Sequence, residues 1–150
     1  MNIIEGQTPF RTDKAKMQKL ADIEMAVIHH TGIPLDQEQT GFFVHVKKLS
    51  EGFDYLPYHY IIRQDGTVEK TVPRSVSVPP GKCISIALAG DFEKEFPFAE
   101  QIRSLKLLLK MLNERFKFKR VVPAYKVIKG TSSPGKNLMP ALENNKILRY

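Results

Sequence analysis

The most constraining feature of the chain is an apolar run over residues 23–31 that ends in two adjacent histidines, His29 and His30. Its length and β-branched content predict a buried β-strand. Because successive side chains of a strand point to opposite faces, the two imidazoles cannot both reach one site. We therefore predict that one of them lies in a cleft at the end of the strand, while the other packs against the protein or meets solvent.

The composition predicts one globular domain over residues 1–150. Of the 150 residues, 42% are hydrophobic and 26% are charged, which is enough for a real core. The single cysteine, Cys83, excludes an internal disulfide, and one cysteine with four histidines falls short of a zinc-finger pattern. The chain has neither the apolar core of a signal peptide nor a run of about 18 apolar residues that would predict a membrane span. We therefore expect a cytoplasmic protein with no membrane partner.

The formal net charge is +7, from 23 Lys and Arg against 16 Asp and Glu. Such an excess favours anionic partners, and nucleic acid, an anionic cell-wall polymer and a nucleotide are all compatible with it. A basic surface that serves only solubility is compatible as well. Phe116 and Phe118 lie among basic residues, but they continue the apolar face of a helix, so core packing explains them better than base stacking. We do not expect nucleic acid as a partner.

The first half of the chain predicts two short helices and a hairpin. Over about residues 1–22, apolar residues at a spacing of three indicate a short helix, and these residues are Met17, Leu20 and Ile23. Thr12 or Asp13 can cap this helix. Thr40 can cap a second helix that stops at Gly52, and its apolar face consists of Phe42 or Phe43, Val46 and Leu49. His45 on this helix is expected to face solvent. Residues 58–63 and 67–72 flank the turn formers Gln64-Asp65-Gly66 and predict a β-hairpin.

The second half predicts the centre of the sheet and the helix that covers it. Residues 83–89 have the length of a buried strand, which we expect in the centre. After Pro97, apolar residues recur at spacings of three and four as far as Phe116, and this pattern predicts a long amphipathic helix. Residues 120–123 predict a short strand and residues 131–137 a loop. Because strands alternate with helices, the predicted fold class is α/β, with a mixed central β-sheet flanked by helices.

Four motifs in a fixed order carry a resemblance to a known family. They are AVIHHT (26–31), YHYIIRQDGTVE (58–69), CISIALAGDF (83–92) and, after the leucine-rich helix, TSSPGKNL (131–138). In this order and spacing they resemble the zinc-dependent N-acetylmuramoyl-L-alanine amidases and the peptidoglycan recognition proteins that share their fold. The resemblance covers about residues 23–138 and implies the fold of that family.

The same resemblance implies a degenerate zinc site. In the family, the ligands are a histidine that ends the first strand, a second histidine late in the chain, and a cysteine or aspartate eight residues after it. His29 matches the first ligand, but Ser133 stands at the cysteine position and Tyr125 at that of the second histidine. A catalytic zinc normally has three protein ligands from imidazole, thiolate or carboxylate, so two are missing. Ala87 falls where some members carry a catalytic glutamate, and we expect no metal, no cofactor and no catalytic residue.

Other positions imply a groove that binds a ligand. Tyr58 matches the family tyrosine that points at the scissile amide, and Thr131 matches a threonine beside the metal in the recognition proteins. The hydroxyls of Tyr125 and Ser133 can form a hydrogen-bonding floor with His29. His30 and His59 are expected to be structural, because alternation along the strands places them on the faces opposite His29 and Tyr58, respectively. A basic rim is expected around the groove, and it consists of Arg63, Arg74, Lys82, Lys126, Lys129 and Lys136.

Three functions are compatible with the sequence. The first, which we expect, is a metal-free and catalytically inactive member of the fold that binds a peptidoglycan fragment in the former substrate groove. The second is a phage-encoded or cytoplasmic protein, in the host cytoplasm if a phage encodes it, that sequesters an anionic small molecule such as a nucleotide or inhibits a protein partner. The third is an active N-acetylmuramoyl-L-alanine amidase with substitute metal ligands.

Overall fold

The computed structural model describes residues 1–6 and 12–150, and in this part six strands form one mixed sheet in the order β1-β4-β3-β5-β2-β6. The strands are Ile3–Glu5 (β1), Met25–His30 (β2), Tyr60–Ile62 (β3), Val68–Lys70 (β4), Cys83–Leu88 (β5) and Arg120–Pro123 (β6). The α-helices of the described part are Gly41–Ser50 (α1), Ala99–Phe116 (α2) and Met139–Asn144 (α3). None of these helices is long and apolar enough to span a membrane. The predicted α/β class is confirmed.

The strand β5 lies inside the sheet, as predicted. It pairs in parallel with β2 on one side and with β3 on the other, and all six of its residues are buried. The strands β3 and β4 pair antiparallel as the predicted hairpin, and Asp65 Oδ1 accepts a hydrogen bond from Thr67 N in the turn. Since helices cover both faces of the sheet, the central strands are apolar on both sides.

The two faces of β2 belong to two hydrophobic cores, as its alternating pattern requires. Ala26 and Ile28 pack in the core beneath α2. Val27 packs on the other face, with Val44 of α1 and Tyr58. His29 has the parity of Val27 and therefore lies on the α1 side of the sheet.

The predicted short helix within residues 1–22 is wrong as far as the described residues go, while residues 7–11 of that segment lie outside the described part. The described part of this segment contains the strand β1 and two 3-10 turns, at Thr12–Lys14 and Leu20–Asp22, but no α-helix. Met17 forms a β-bridge with Val76, and the Gln18 side chain donates hydrogen bonds to the carbonyls of Arg74 and Cys83. The segment is held extended by these long-range bonds, which outweigh a weak local helical pattern.

The helix α1 begins as predicted but presents a different face to the core. Thr40 Oγ1 accepts a hydrogen bond from Phe43 N and caps the helix. Val44 and His45 are buried, so the prediction that His45 faces solvent is wrong. The apolar side chains expected on the buried face are exposed, and they are Phe42, Phe43, Val46 and Leu49.

Candidate functional site

A cleft of about 280 Å³ opens at the carboxyl end of β2. Such edges are where α/β proteins commonly bind ligands. The lining residues come from the end of β2, the end of α1, the approach to β3 and the loop after β6, and among them are His29, His30, Lys48, Glu51, Phe53, Tyr58, Thr131 and Ser133. Four of the predicted ligand-binding residues are therefore brought together, namely His29, Tyr58, Thr131 and Ser133.

His29 is a neutral buried imidazole in this cleft. The residue is only 7% exposed, and its Nε2 is fully buried without a hydrogen-bond partner among the described residues. Burial, followed by the charge of Lys48, lowers its pKa to about 3. At neutral pH the ring is uncharged, and Nε2 carries an unsatisfied hydrogen-bonding capacity.

Tyr58 closes the cleft beside His29, with 5.0 Å between the two ring centroids. Its hydroxyl donates a hydrogen bond of 3.3 Å to the His30 carbonyl. Burial raises the pKa of Tyr58, against the opposing effect of Lys48, so the phenol is neutral. Lys48 Nζ lies 5.7 Å from the Tyr58 ring centroid and 3.3 Å from Glu51 Oε1. The cation at the rim is therefore balanced by a carboxylate.

The loop after β6 supplies two hydroxyls. Ser133 Oγ accepts a hydrogen bond of 3.0 Å from His30 N, and Ser133 N donates one of 3.1 Å to Thr131 Oγ1. Both hydroxyls keep a proton that they can donate to a ligand. His30 also lines the cleft, so the prediction that only one of the two histidines lies there is wrong. Its ring is anchored as a structural histidine through Nδ1, which accepts a hydrogen bond of 3.0 Å from Phe92 N.

Tyr125 does not line the cleft. Its side chain is 40% exposed, and the residue reaches the site only through its backbone N–H, which donates to the Ser133 carbonyl at 2.9 Å. The Lys126 Nζ lies 5.8 Å from its ring centroid. The hydrogen-bonding floor therefore contains His29 and Ser133 but not the expected phenol.

The expected basic rim is not assembled around the cleft either. Arg63 pairs with the buried carboxylate of Glu69, which also accepts hydrogen bonds from Gly41 N at the start of α1. Lys82 lies at the opposite end of β2, where its carbonyl accepts a hydrogen bond from Glu24 N. Arg74 does not line the cleft either, and its guanidinium lies 5.3 Å from the ring centroid of Phe116. The remaining three are exposed and do not line the cleft, and they are Lys126, Lys129 and Lys136.

Three lining residues at the end of α1 were missed from the sequence: Lys48, Glu51 and Phe53. Their signal was weak but present, because the helix that follows β2 was predicted to end at Gly52. A helix that returns from a strand brings its own end close to one edge of the sheet. The residues around that stop were therefore candidates for the wall of a cleft.

The cleft residues do not fit a catalytic zinc. Within residues 1–6 and 12–150, no group of three or more His, Cys, Asp or Glu is placed to hold a metal ion. His29 is accompanied by hydroxyls, and neutral hydroxyls are poor zinc ligands. Ala87, which is paired in register with His29, brings no carboxylate to the neighbouring strand.

The fold and cleft define an α/β protein with a polar cleft at the edge of a mixed sheet. The family model described as N-acetylmuramoyl-L-alanine amidase matches residues 19–136. The chain belongs to this family, and the resemblance read from its motifs is confirmed. No curated protein matches the chain.

Solved structures share the fold over almost the whole chain. The N-acetylmuramoyl-L-alanine amidase LysC from Clostridium intestinale is 23% identical, with 97% of this chain and 98% of that chain covered and a TM-score of 0.79. The Drosophila peptidoglycan recognition protein SD is 19% identical, with 94% and 92% covered and a TM-score of 0.79. The Ph2119 endolysin from a Thermus scotoductus bacteriophage is 23% identical, with 95% and 97% covered and a TM-score of 0.73. At these identities the similarity is one of fold.

Proposed function

We propose that the chain binds a peptidoglycan fragment in the cleft beside His29 and does not cleave it by the zinc chemistry of the family. Family membership supports the class of ligand. Two structures of similar fold, a point mutant of the Drosophila protein PGRP-LB and the ectodomain complex of PGRP-LCa with PGRP-LCx, were solved with tracheal cytotoxin. The proposal extends that kind of binding to this chain.

The observation that carries the proposal is the unpartnered Nε2 of His29. A buried polar atom without a partner is costly, typically about 1–3 kcal/mol. A ligand recovers that cost when it displaces the side chains that cover Nε2 and hydrogen-bonds to it. The same cleft is lined by Tyr58, Thr131 and Ser133, whose hydroxyls are uncharged. A floor of this kind suits a ligand rich in amides and hydroxyls, as glycopeptides are.

The residues around His29 support binding without hydrolysis. Zinc-assisted cleavage of an amide requires an ion that acidifies a bound water, and this in turn requires three suitable ligands. The cleft is lined by His29 and His30 and by one carboxylate, Glu51, which pairs with Lys48. In the described part of the chain these residues do not form a group of three that could hold an ion. A metal-independent route would need a general base, but Ala87 offers none at the position next to His29, and the Glu51 carboxylate is paired with Lys48.

The alternative ligand, an anionic small molecule such as a nucleotide, is less well matched to this cleft. Phosphate recognition normally uses Arg or Lys as charge-assisted donors. Among the described lining residues, Lys48 is the only Lys or Arg, and it already pairs with Glu51. The cations expected around the cleft lie elsewhere on the protein.

Co-sedimentation with purified peptidoglycan sacculi, together with release of peptide from soluble muropeptides, tests the proposal. The wild-type protein is expected to bind sacculi and to release no peptide, with or without added zinc. His29→Leu should weaken binding roughly fivefold, the equivalent of one lost hydrogen bond of about 1 kcal/mol. His45→Leu is the matched control, because His45 is also buried with an unpartnered nitrogen but does not line the cleft.

The outcomes separate the three functions. About one zinc per purified chain, with peptide release that a chelator abolishes, would establish the amidase. If the protein does not bind sacculi but a nucleotide raises its melting temperature, the anionic small molecule is favoured as the ligand. Equal binding by a folded His29→Leu protein and the wild type would show that the site is elsewhere.

A further inference from the structure

A second concave surface lies away from the cleft, between α2 and the C-terminal segment. It consists of two adjoining cavities of about 310 and 620 Å³ that share Lys106 and Asn145. Five exposed cations line them, and we call the surface they form the basic groove: Arg103, Lys106, Lys110, Lys146 and Arg149. No residue that lines the cleft beside His29 lines this groove.

The charge of the basic groove is not compensated within the described part of the chain. No Asp or Glu lines either cavity, and none of the five cations takes part in an ion pair there. The nearest acidic residues in sequence are Glu100, Glu114 and Glu143, and they line neither cavity. A concave surface with charge of one sign attracts ligands of the opposite charge.

Part of the groove is held rigidly. The backbone of Arg149 exchanges hydrogen bonds with that of Val121, at 2.6 and 2.9 Å. Its Nη1 donates at 2.6 Å to the Phe118 carbonyl, which fixes the guanidinium at the groove. On the facing wall, Arg103, Lys106 and Lys110 follow one side of α2 over about 10 Å, at a rise of about 1.5 Å per residue. The cations form an extended row, which suits several spaced anionic groups.

A polar side chain between the cations indicates the chemistry of the segments that join the anionic groups of the ligand. Asn145 lines both cavities, and its Nδ2 donates to the Ala141 carbonyl at 2.8 Å. Its Oδ1 remains available to accept a hydrogen bond from a ligand hydroxyl. Aromatic stacking platforms for bases are missing from the lining residues, since Phe118 is the only aromatic among them and is buried. The groove therefore fits a phosphate polymer with hydroxylated linkers better than a nucleic acid.

We propose that the basic groove binds a polyol-phosphate polymer of the bacterial cell wall. The choice of the cell wall as source rests on the proposed function of the cleft, which takes a peptidoglycan fragment. The two sites then recognise two components of one surface. The cleft recognises neutral polar groups, and the groove recognises repeating phosphates.

The test measures binding of the full chain to purified poly(glycerol phosphate) by calorimetry at several salt concentrations. Lys106→Glu with Lys110→Glu reverses two groove charges, while Lys19→Glu with Lys94→Glu is the control of equal charge on exposed lysines that line neither site. We expect the groove variant to bind about tenfold or more weakly and with a shallower salt dependence, by about one unit of slope for each lost contact. The control should stay within about threefold of the wild type.

Three results would overturn the proposal. Equal losses in the groove and control variants would mean that net charge alone drives binding. A single-stranded oligonucleotide of equal phosphate number that binds more tightly than the polymer would make nucleic acid the partner. No measurable binding by wild-type protein with a normal melting temperature would remove the site altogether.

The same proteins separate this proposal from the proposed function of the cleft. On sacculi stripped of phosphate polymer, the groove variant should bind like the wild type, whereas His29→Leu should bind more weakly. If stripped sacculi are not bound but the polymer still is, the cleft proposal fails and the groove stands. The opposite pattern leaves the cleft and removes the groove.

Discussion

Acid should destabilise this protein through His59, a buried histidine with both ring nitrogens occupied. Its Nδ1 accepts a hydrogen bond of 2.9 Å from Ser85 N, and its Nε2 lies 2.8 Å from the Val76 carbonyl, to which it donates. A second proton would have to sit on Nδ1, opposite the Ser85 N–H. Burial lowers the pKa of His59 to about 4, with the Val76 carbonyl opposing and Arg74 adding to the shift.

The direction and size of the effect follow from proton linkage. The pKa is lower in the folded than in the unfolded chain, where it is about 6.5, so only the unfolded chain takes up a proton between those values. The stability contributed by neutral His59 is complete above about pH 6.5 and is lost as the pH falls towards the folded-state pKa of about 4. Each pH unit below about 6.5 lowers the free energy of unfolding by about 1.4 kcal/mol, so the loss at about pH 5 is about 2 kcal/mol. His29, with its pKa of about 3, adds a similar loss.

Urea unfolding at about pH 7, 6 and 5 measures this loss, and the wild type should lose about 4 kcal/mol of unfolding free energy over this range, about 2 from each of the two histidines. His59→Gln should be less stable at about pH 7, because hydrogen bonds are lost, but its decrease on acidification should be about 2 kcal/mol smaller. An unchanged pH dependence in the variant, or an NMR titration of His59 near its ordinary pKa of about 6.5, would refute the reasoning.

Three further changes should affect folding. Glu69→Gln should cost about 3 kcal/mol in urea unfolding because it leaves Arg63 and the start of α1 without their shared carboxylate; a cost below about 1 kcal/mol would contradict this account. Thr40→Ala should cost about 1 kcal/mol through the lost helix cap, and an equal helix content and melting temperature would contradict that. Gly135→Ala should be more severe, seen as poor folding by circular dichroism, because its φ is +96° and a Cβ would meet the Phe92 backbone at 2.6 Å.

Local signals were sufficient to predict five of the six described strands and the helices α1 and α2, whereas the edge strand β1 and the short helix α3 were not predicted. The strand before His29, the hairpin and the central strand each combine β-branched residues with turn formers, and α2 combines a long apolar rhythm with a start after Pro97. These patterns indicate which residues of an element become buried, and the local sequence is sufficient to show that. Parity along β2 likewise placed His29 and His30 on different faces before any contact was known.

The sequence could not predict which side chains find distant partners. Arg63 resembled a rim cation, but it pairs with Glu69, and that pairing depends on how α1 meets the hairpin. Tyr125 occupies a family ligand position by count, but a count does not specify the direction of a side chain in a 3-10 turn. The face of α1 was misjudged for the same reason, since the periodicity of the helix was correct but its rotation against the sheet was not encoded locally.

The distribution of charge connects the cleft and the basic groove. The net charge of +7 suggests an anionic ligand, yet the cleft is neutral and has one balanced cation, whereas the groove collects five cations without an ion pair in the described part of the chain. Hydrogen bonds between neutral groups depend little on ionic strength, whereas attraction between exposed charges is screened within about 10 Å at about 0.1 M salt. Binding to a soluble peptidoglycan fragment should therefore be nearly independent of salt, and binding to an intact wall that carries phosphate polymer should weaken steeply with it. Under the two proposals, the protein combines a salt-dependent attachment to the wall with a salt-independent recognition of its glycopeptide.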